Sequence, residues 1–285
     1  MSTLLKIKIL KKEMTNIEKK IANYILNNIN ELKNLNTYEI AQNCDVSQAS
    51  IVRFSKKLGF SGFPNFKISL VQDLGKINLE NEISVLDDEI DSKDSFSTIC
   101  KKIAAKNINA VQNTISILDT KEIEKAINMI EKAKKIMIIG VGFSGIVAKD
   151  FSFKLTEIGK NVIFETDQHM QLSYLTTFTK KDIVFAISYS GQTKEVYSLV
   201  KEAKARNIPI ISLTTLAPNL IRDLADVKLN TVDLGEHYRG SSLSPRISQF
   251  TIIDSIYVSL VIKNKDMENY IKNAIELVKE HKIKK

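Results

Sequence analysis

The stretch Asp182–Glu195, DIVFAISYSGQTKE, decides how the second half of the chain folds. Its apolar run, Ile183–Ile187, has the length and composition of a buried strand. A loop of small and hydroxyl-bearing residues, Ser188–Thr193, follows, and a helical pattern begins directly after it. The stretch therefore predicts a strand, a tight turn and the N-terminus of a helix.

This loop has the chemistry of an anion-binding turn. It offers the hydroxyl groups of Ser188, Ser190 and Thr193 and the backbone N–H groups from Gly191 onward, and no acidic residue interrupts it. The first N–H groups of a helix lack intrahelical partners and lie at the positive end of the helix dipole, so they suit an anion. We therefore predict that the loop binds a phosphate group.

Short apolar strands alternate with helices on both sides of this loop. The patterns predict strands at 136–139, 161–164, 183–187, 208–213 and 227–229, and helices at 95–118, 120–132, 144–158, 167–176, 193–206, 218–224, 247–260 and 266–279. Such alternation implies an α/β fold, with a parallel sheet covered by helices on both faces. Ligands of these sheets bind at the carboxyl ends of the strands, where the strand order reverses.

A glycine pattern at the end of the first strand raises a second possibility. Gly140–Gly145, GVGFSG, matches the dinucleotide-binding turn, and Glu165 ends the next strand, where a ribose-binding acid would lie. A dinucleotide site does not require the second, hydroxyl-rich loop, however. Two strand-end loops, one with Ser144 and one with Ser188, suit a compact ligand that carries one phosphate. We therefore favour such a ligand over NAD(P) and expect no cofactor.

The formal net charge of +8 is unevenly distributed along the 285 residues. Residues 1–76 contain twelve Lys and Arg against six Asp and Glu, whereas residues 77–99 contain one Lys and seven acids. This distribution predicts a basic domain at 1–76, an acidic linker at 77–96 and a larger domain at 97–285. A basic domain favours nucleic acid, because binding releases the counterions of the phosphate backbone.

Other features limit where the protein acts. No apolar run reaches the length of a membrane span, and lysines interrupt the apolar residues at the N-terminus. Cys44 and Cys100 lie far apart and give neither a disulfide framework nor the spacing of metal ligands. We therefore expect a cytoplasmic protein without a metal site or a membrane partner.

The basic domain has the outline of a helix-turn-helix. A helix is predicted at 15–28, followed by two short helices at 37–44 and 47–59 that are separated by a turn. The recognition helix of that motif places its N-terminal residues on base edges, and the residues one to two turns further on reach guanine or phosphates. The candidate DNA contacts are Ser47, Gln48, Ala49, Ser50, Arg53, Lys56 and Lys57. A plain packing or dimerisation hairpin is the alternative, but the basic balance favours DNA.

Two groups of residues resemble a known family. Residues 31–70, and above all VSQASIVRFSKKLGFSGF within them, resemble the N-terminal helix-turn-helix of RpiR-family bacterial transcriptional regulators. The segments IGVGFSGIVAKDFSFKLTEIGKNV, ETDQHMQ, ISYSGQTKEV and SPRISQFTIID resemble, in that order, the SIS half of such regulators. The SIS domain is the sugar isomerase fold that binds phosphosugars, so the resemblance implies a helical N-terminal domain followed by a three-layer α/β SIS domain.

The resemblance also implies a set of ligand-binding residues. Ser188, Ser190 and Thr193 would hold the sugar phosphate, with Gly191 and Gln192 contributing backbone groups. Ser144 would lie on the facing loop. Further polar residues near the same strand ends are candidates for sugar contact, namely Glu165 and His169. A capping or core role for His169 and a solvent-facing position for Glu165 are the alternatives. Arg246 could reach a ligand or a neighbouring subunit.

Three functions fit these features: a ligand-responsive regulator, a phosphosugar (aldose–ketose) isomerase, and a bare DNA-binding or oligomerising protein. An isomerase needs a base beside the substrate carbonyl, and Glu165 and His169 are the nearby candidates. An N-terminal helix-turn-helix is not needed for isomerisation, whereas operator binding requires one. We therefore expect a non-enzymatic homodimer or homotetramer whose affinity for double-stranded operator DNA responds to a sugar phosphate, and which governs carbohydrate metabolism genes.

Overall fold

The computed structural model describes residues 3–28, 36–77, 90–232 and 244–279. The chain divides into two compact units, Met1–Ser116 and Ile117–Lys285. Most of the acidic linker expected at 77–96 lies outside the described residues. The domain boundaries at 1–76, 77–96 and 97–285 therefore stay predictions.

The described part of the first unit is helical. Its helices are α1 (Thr3–Leu10), α2 (Asn16–Asn27), α3 (Thr37–Cys44), α4 (Gln48–Lys57), α5 (Phe63–Ile77) and α6 (Phe96–Ser116), with a 3-10 turn at Lys11–Glu13. The helices predicted at 15–28, 37–44 and 47–59 are confirmed to within two residues at each end. The sequence patterns did not predict α1, because its alternating lysines hide the helical period of its buried Leu4, Leu5, Ile7 and Ile9.

Side-chain caps fix the helix-turn-helix. Asn36 begins α3 with a capping box, in which its Oδ1 accepts from Tyr38 N and Glu39 N while Glu39 Oε2 accepts from Asn36 N. Asp45 turns the chain after α3 with a left-handed φ of 53°. Ser47 then begins α4, and its Oγ accepts from Ser50 N at 3.2 Å. A buried core joins these helices through Ile21, Ile25, Ile40, Ile51, Phe54 and Phe66.

The second unit is built on a parallel sheet. Among the described residues its strand order is β2-β1-β3-β4-β5, and each neighbouring pair is parallel. The strands are β1 (Ile136–Ile139), β2 (Val162–Phe164), β3 (Ile183–Ile187), β4 (Ile210–Thr215) and β5 (Val227–Thr231). The helices are α7 (Thr120–Lys132), α8 (Phe143–Glu157), α9 (Gln168–Leu175), α10 (Lys194–Ala205), α11 (Leu220–Leu224), α12 (Ser244–Lys263) and α13 (Lys265–Lys279). The predicted α/β fold with a parallel sheet is thus confirmed.

Each face of the sheet has its own apolar core. Alternate strand residues, including Ile138, Phe185 and Leu213, pack with α7, α8 and α12 on one face. Their neighbours, including Met137, Val184 and Ile210, pack with α9, α10 and α11 on the other. The central strands are buried on both faces and therefore read as continuous apolar runs rather than alternating patterns. None of the described helices is long and apolar enough to cross a membrane.

Candidate functional site

The strand order reverses between β1 and β3. β1 pairs with β2 on one side and with β3 on the other, so the connections that leave β1 and β3 diverge. The register pairs Ile139 with Ala186 near the ends of the two strands, which places the loop after β1 beside the loop after β3. A crevice at such a reversal is where open α/β sheets bind ligands.

A hydrogen bond joins these two loops. Ser144, in the first turn of α8, is buried, and its Oγ accepts from the backbone N–H of Tyr189 at 3.3 Å. The structure therefore brings Ser144 together with the loop Ser188–Thr193, as the sequence predicted for facing loops.

The Ser188 and Thr193 hydroxyl groups of the loop pair with each other, and the Ser190 hydroxyl accepts from the backbone. Ser188 Oγ lies 3.0 Å from Thr193 Oγ1, and Gln192 N donates to Ser190 Oγ at 3.2 Å. Thr193 begins α10 without a side-chain cap hydrogen bond, because its hydroxyl faces Ser188 instead. The loop thus places two hydroxyl groups and the first turn of α10 at one point, where the helix dipole favours an anion.

A residue from a distant loop supports the other side of this turn. Gly191 has a φ of 66°, and a Cβ added to it would lie 1.9 Å from Asn219 Oδ1. Asn219 is buried, and its Nδ2 donates to Thr214 Oγ1, Thr215 O and Ala217 O. Backbone bonds from Thr215 N to Tyr189 O and from Ile221 N to Gly191 O complete the support.

Sequence reasoning missed Asn219. A local signal for it exists, because Asn219 caps α11 by accepting from Arg222 N at 2.9 Å, and Asn is a preferred N-cap residue. That signal predicts a helix start, however, and does not predict contact with a loop that precedes it by almost thirty residues.

The glycine pattern after β1 has a packing role. A Cβ added to Gly140 would lie 2.6 Å from Ser144 O, and one added to Gly145 would lie 3.0 Å from Gly140 O. Both glycines therefore allow the end of β1 and the start of α8 to approach closely, which accounts for the pattern without a dinucleotide.

Glu165 is engaged in a local turn. Its Oε1 accepts from Thr166 N at 2.7 Å and from Asp167 N at 3.1 Å. These hydrogen bonds, first from Asp167 and then from Thr166, hold the pKa of Glu165 below its ordinary value. His169 is exposed in the first turn of α9, and in the described part of the chain no hydrogen bond joins its ring to Glu165 or to the loop Ser188–Thr193. The structure does not link either side chain to the loop.

The N-terminus of α12 lies beside that of α8. Arg246 places its guanidinium carbon 4.7 Å from the ring centre of Phe143, which precedes Ser144. One turn further, Ser248 Oγ and Gln249 Nε2 are buried and have no hydrogen-bond partner in the described structure. Sequence reasoning proposed Arg246 and missed Ser248 and Gln249, because the apolar character of this helix predicted burial alone.

The predicted DNA contacts fall into three groups on α4. Gln48, Ala49, Arg53 and Lys56 are exposed, and so is the capping residue Ser47. Ser50 is buried, and its Oγ lies 2.9 Å from Ser47 Oγ. Lys57 forms an ion pair with Glu18 of α2 at 2.8 Å, so its charge is partly neutralised within the unit. A cavity of about 610 Å³ adjoins Gln48 and is also lined by Tyr38 and Gln42, which sequence reasoning missed.

Comparison with known families assigns both halves of the chain. Residues 1–76 match the model of the helix-turn-helix domain of the rpiR family, and residues 129–259 match the model of the SIS domain. The two matches appear in the order that the resemblance implied. The chain belongs to the RpiR family.

Solved structures share the fold of this RpiR-family chain. The Vibrio vulnificus NanR protein complexed with ManNAc-6P is 24% identical with a TM-score of 0.62, and the match covers 99% of this chain and 100% of that one. The sugar isomerase domain of an RpiR transcription factor from Sphaerobacter thermophilus is 18% identical with a TM-score of 0.57, covering 61% and 96%. Phosphoheptose isomerase GmhA from Neisseria gonorrhoeae is 20% identical with a TM-score of 0.51, covering 58% and 99%. Regulators and an isomerase therefore share this fold.

Proposed function

We propose that this RpiR-family chain is a cytoplasmic DNA-binding regulator whose operator affinity is controlled by a sugar phosphate. The observation that carries the proposal is the junction of two strand-end loops at the sheet reversal, where Tyr189 N donates to Ser144 Oγ at 3.3 Å. The same chain contains the helix-turn-helix of a transcriptional regulator family. A NanR structure of the same fold contains ManNAc-6P, which makes that compound the first ligand to test.

The phosphate binds the loop Ser188–Thr193 in this proposal. The Ser188 and Thr193 hydroxyls and the N-terminal turn of α10 supply donors, while Ser144 and Asn219 hold the loop in place from either side. Because the loop is positioned before the ligand arrives, little of the binding free energy is spent on ordering it. Gly191 and Gln192 are proposed backbone contacts. Their N–H groups donate to Ser188 O and Ser190 Oγ within the loop, and a bound phosphate would replace these acceptors.

The state of Glu165 argues against isomerase activity. A base that takes a proton beside a carbonyl works best when its pKa lies near the operating pH. The hydrogen bonds from Asp167 and Thr166 shift the pKa of Glu165 in the opposite direction, below its ordinary value. We therefore assign Glu165 to the turn rather than to catalysis.

Control of DNA binding requires coupling between the two units. We propose a homo-oligomer in which the ligand favours one relative placement of two helix-turn-helix domains. Typical coupling energies of about 1–3 kcal/mol change operator affinity about 5- to 150-fold. A two-fold dimer would read half-sites about one helical turn apart, or a multiple of that spacing.

Replacing one hydroxyl group tests the proposed ligand site. Thr193→Val keeps the shape of the side chain and removes the hydroxyl that faces Ser188. We expect the change in operator affinity caused by ManNAc-6P or another hexose phosphate to be lost, while affinity without ligand is kept. Fluorescence anisotropy with operator DNA measures both quantities.

The matched control is Thr156→Val, the same change at an exposed position near the C-terminal end of α8. It should keep the full ligand response. A response that survives in Thr193→Val would contradict the assignment of the loop, and turnover of a sugar phosphate by the purified protein would overturn the choice of a regulator over an isomerase.

A further inference from the structure

A cluster of lysines lies at the amino edge of the sheet, the opposite edge from the ligand loops. Lys132 ends α7, Lys134 and Lys135 precede β1, and Lys180 and Lys181 precede β3. These five residues line two adjoining cavities of about 370 and 660 Å³, and both cavities include Lys134, Lys180 and Lys181. We call this concave surface the amino-edge lysine pocket.

The charges of this pocket are uncompensated. Elsewhere in the second unit lysines pair with carboxylates, as Lys125 does with Glu122, Lys154 with Asp254 and Lys204 with Asp226. Across the described residues, by contrast, none of the five pocket lysines has a carboxylate oxygen within 4.0 Å. Lys135 Nζ instead contacts Thr177 O at 2.6 Å and lies 4.7 Å from the ring centre of Phe178.

Asp182 is the acid among the described residues that line the pocket, and one of its two carboxylate oxygens is hydrogen-bonded within the chain. Asp182 is 2% exposed, and its Oδ2 accepts from Thr179 N at 2.7 Å and from Thr179 Oγ1 at 2.9 Å. Its Oδ1 is buried and has no hydrogen-bond partner within the described chain. One buried carboxylate against five lysines leaves a net positive pocket.

Such a pocket attracts anions for two reasons. Like charges held close together repel, so a bound anion stabilises the folded chain, and a concave surface of one sign concentrates the field. Lysine ammonium groups bind phosphates as point charges. The side chain of Asn161, which also lines the larger cavity, is a neutral amide that can add donors.

We propose that the amino-edge lysine pocket binds a run of consecutive phosphate groups, at a site separate from the sugar phosphate. Five positive charges spread over two cavities exceed what one phosphate monoester needs. Two sources share this chemistry: the backbone of DNA next to the operator, and a free polyphosphate. The first source rests on the proposed regulatory function, whereas the second does not.

Inorganic tripolyphosphate, added to the full-length protein at constant ionic strength, tests the pocket directly. We expect it to raise the melting temperature of the natural protein. The variant Lys134→Gln/Lys180→Gln/Lys181→Gln should lose this rise, and a control variant with three exposed helix lysines changed, Lys201→Gln/Lys265→Gln/Lys272→Gln, should keep it. Both variants lose three positive charges, so a difference between them reports the position and not the net charge.

The salt dependence of binding to operator DNA distinguishes the two sources. If DNA is the source, the slope of log affinity against log salt should become shallower by about one unit for each pocket lysine that contacts a phosphate, relative to the control variant. An unchanged slope together with a lost tripolyphosphate shift assigns the pocket to a free polyphosphate.

Two results would overturn the proposal. In one, the pocket variant and the control variant match in both the tripolyphosphate shift and the salt slope. In the other, the shift persists in the pocket variant and disappears in Thr193→Val, which would place the anion at the opposite edge of the sheet. Neither result depends on whether ManNAc-6P changes operator affinity.

Discussion

Two turns follow the strands that flank β1 at the carboxyl edge, and they are held in opposite ways. The loop Ser188–Thr193 after β3 is fixed by groups outside it, since Ser144 bonds its backbone on one side and Asn219 packs against Gly191 on the other. The turn after β2 is closed from within, because the carboxylate of Glu165 accepts from the next two backbone N–H groups.

This difference between the two turns bears on whether each one suits ligand binding or proton transfer. External supports fix the shape of the Ser188–Thr193 loop, so its polar groups are oriented before a ligand arrives. By contrast, one oxygen of the Glu165 carboxylate, Oε1, accepts hydrogen bonds from two backbone N–H groups of its own turn, and the lowered pKa makes the carboxylate a weaker base. This contrast supports the proposal that this edge of the sheet holds a phosphosugar rather than isomerising one.

The largest effect on stability should come from a substitution at Gly191 that crowds Asn219. Gly191→Ala places a Cβ where Asn219 lies and forces a positive φ on a residue with a side chain. Steric overlap and backbone strain together should lower the free energy of unfolding by about 3 kcal/mol and abolish the sugar phosphate response. Urea denaturation measures the first effect and ligand-dependent thermal shift the second.

Gly142→Ala is the matched control for this change. Gly142 also has a positive φ, 60°, but an added Cβ there would meet nothing within 4 Å. Because Gly142 combines this φ with a ψ of −128°, Gly142→Ala should lose only the backbone strain, about 1–3 kcal/mol. Equal losses in the two variants would show that Asn219 does not support the loop.

Removing the Asn219 side chain should lower the free energy of unfolding by a smaller amount. Asn219→Ala removes the cap of α11 and leaves the Thr215 and Ala217 carbonyls without their side-chain donor. We expect about 2 kcal/mol of destabilisation by urea denaturation. Asn219→Asp keeps the cap acceptor and removes the donors, so full stability in that variant would mean that the cap alone matters and that the comparison fails.

The sequence predicts what is local in this site. The strand, the turn and the helix of Asp182–Glu195 are confirmed, because buried apolar runs, small hydroxyl residues and helical periods each have a signature within a few residues. The facing position of Ser144 was expected from the resemblance to SIS domains, and the pairing of β1 with β3 that produces it is seen in the structure.

The support of the loop by Asn219 and the closed turn at Glu165 could not be predicted from the sequence and are seen only in the structure. Asn219 reaches Gly191 only because β4 lies beside β3, a neighbour relation that no local pattern specifies. The sequence made Glu165 a candidate base, because a sequence does not show which backbone N–H groups a carboxylate accepts hydrogen bonds from. Likewise, Ser50 is one of the predicted base contacts on α4, yet its hydroxyl is turned towards Ser47 in the capping geometry.

The smallest effect on stability is expected from Glu165→Gln, in the turn after β2. The folded pKa of Glu165 lies below its ordinary value of 4.5, so its ionised form contributes stability above that pH and the contribution is lost as the pH falls through the folded pKa. The natural protein should therefore be slightly more stable than the variant at pH 7, and the difference should shrink as the pH falls below about 4.5. Thermal melts of both proteins from pH 7 to pH 3, with the exposed acid change Glu131→Gln as the control, measure this difference.

Sugar phosphate binding should be nearly unchanged in Glu165→Gln, because the carboxylate is engaged by Thr166 and Asp167 rather than by the loop. A strong loss of ligand binding in this variant, with an unchanged melting curve, would show instead that Glu165 faces the ligand and that the two turns act together.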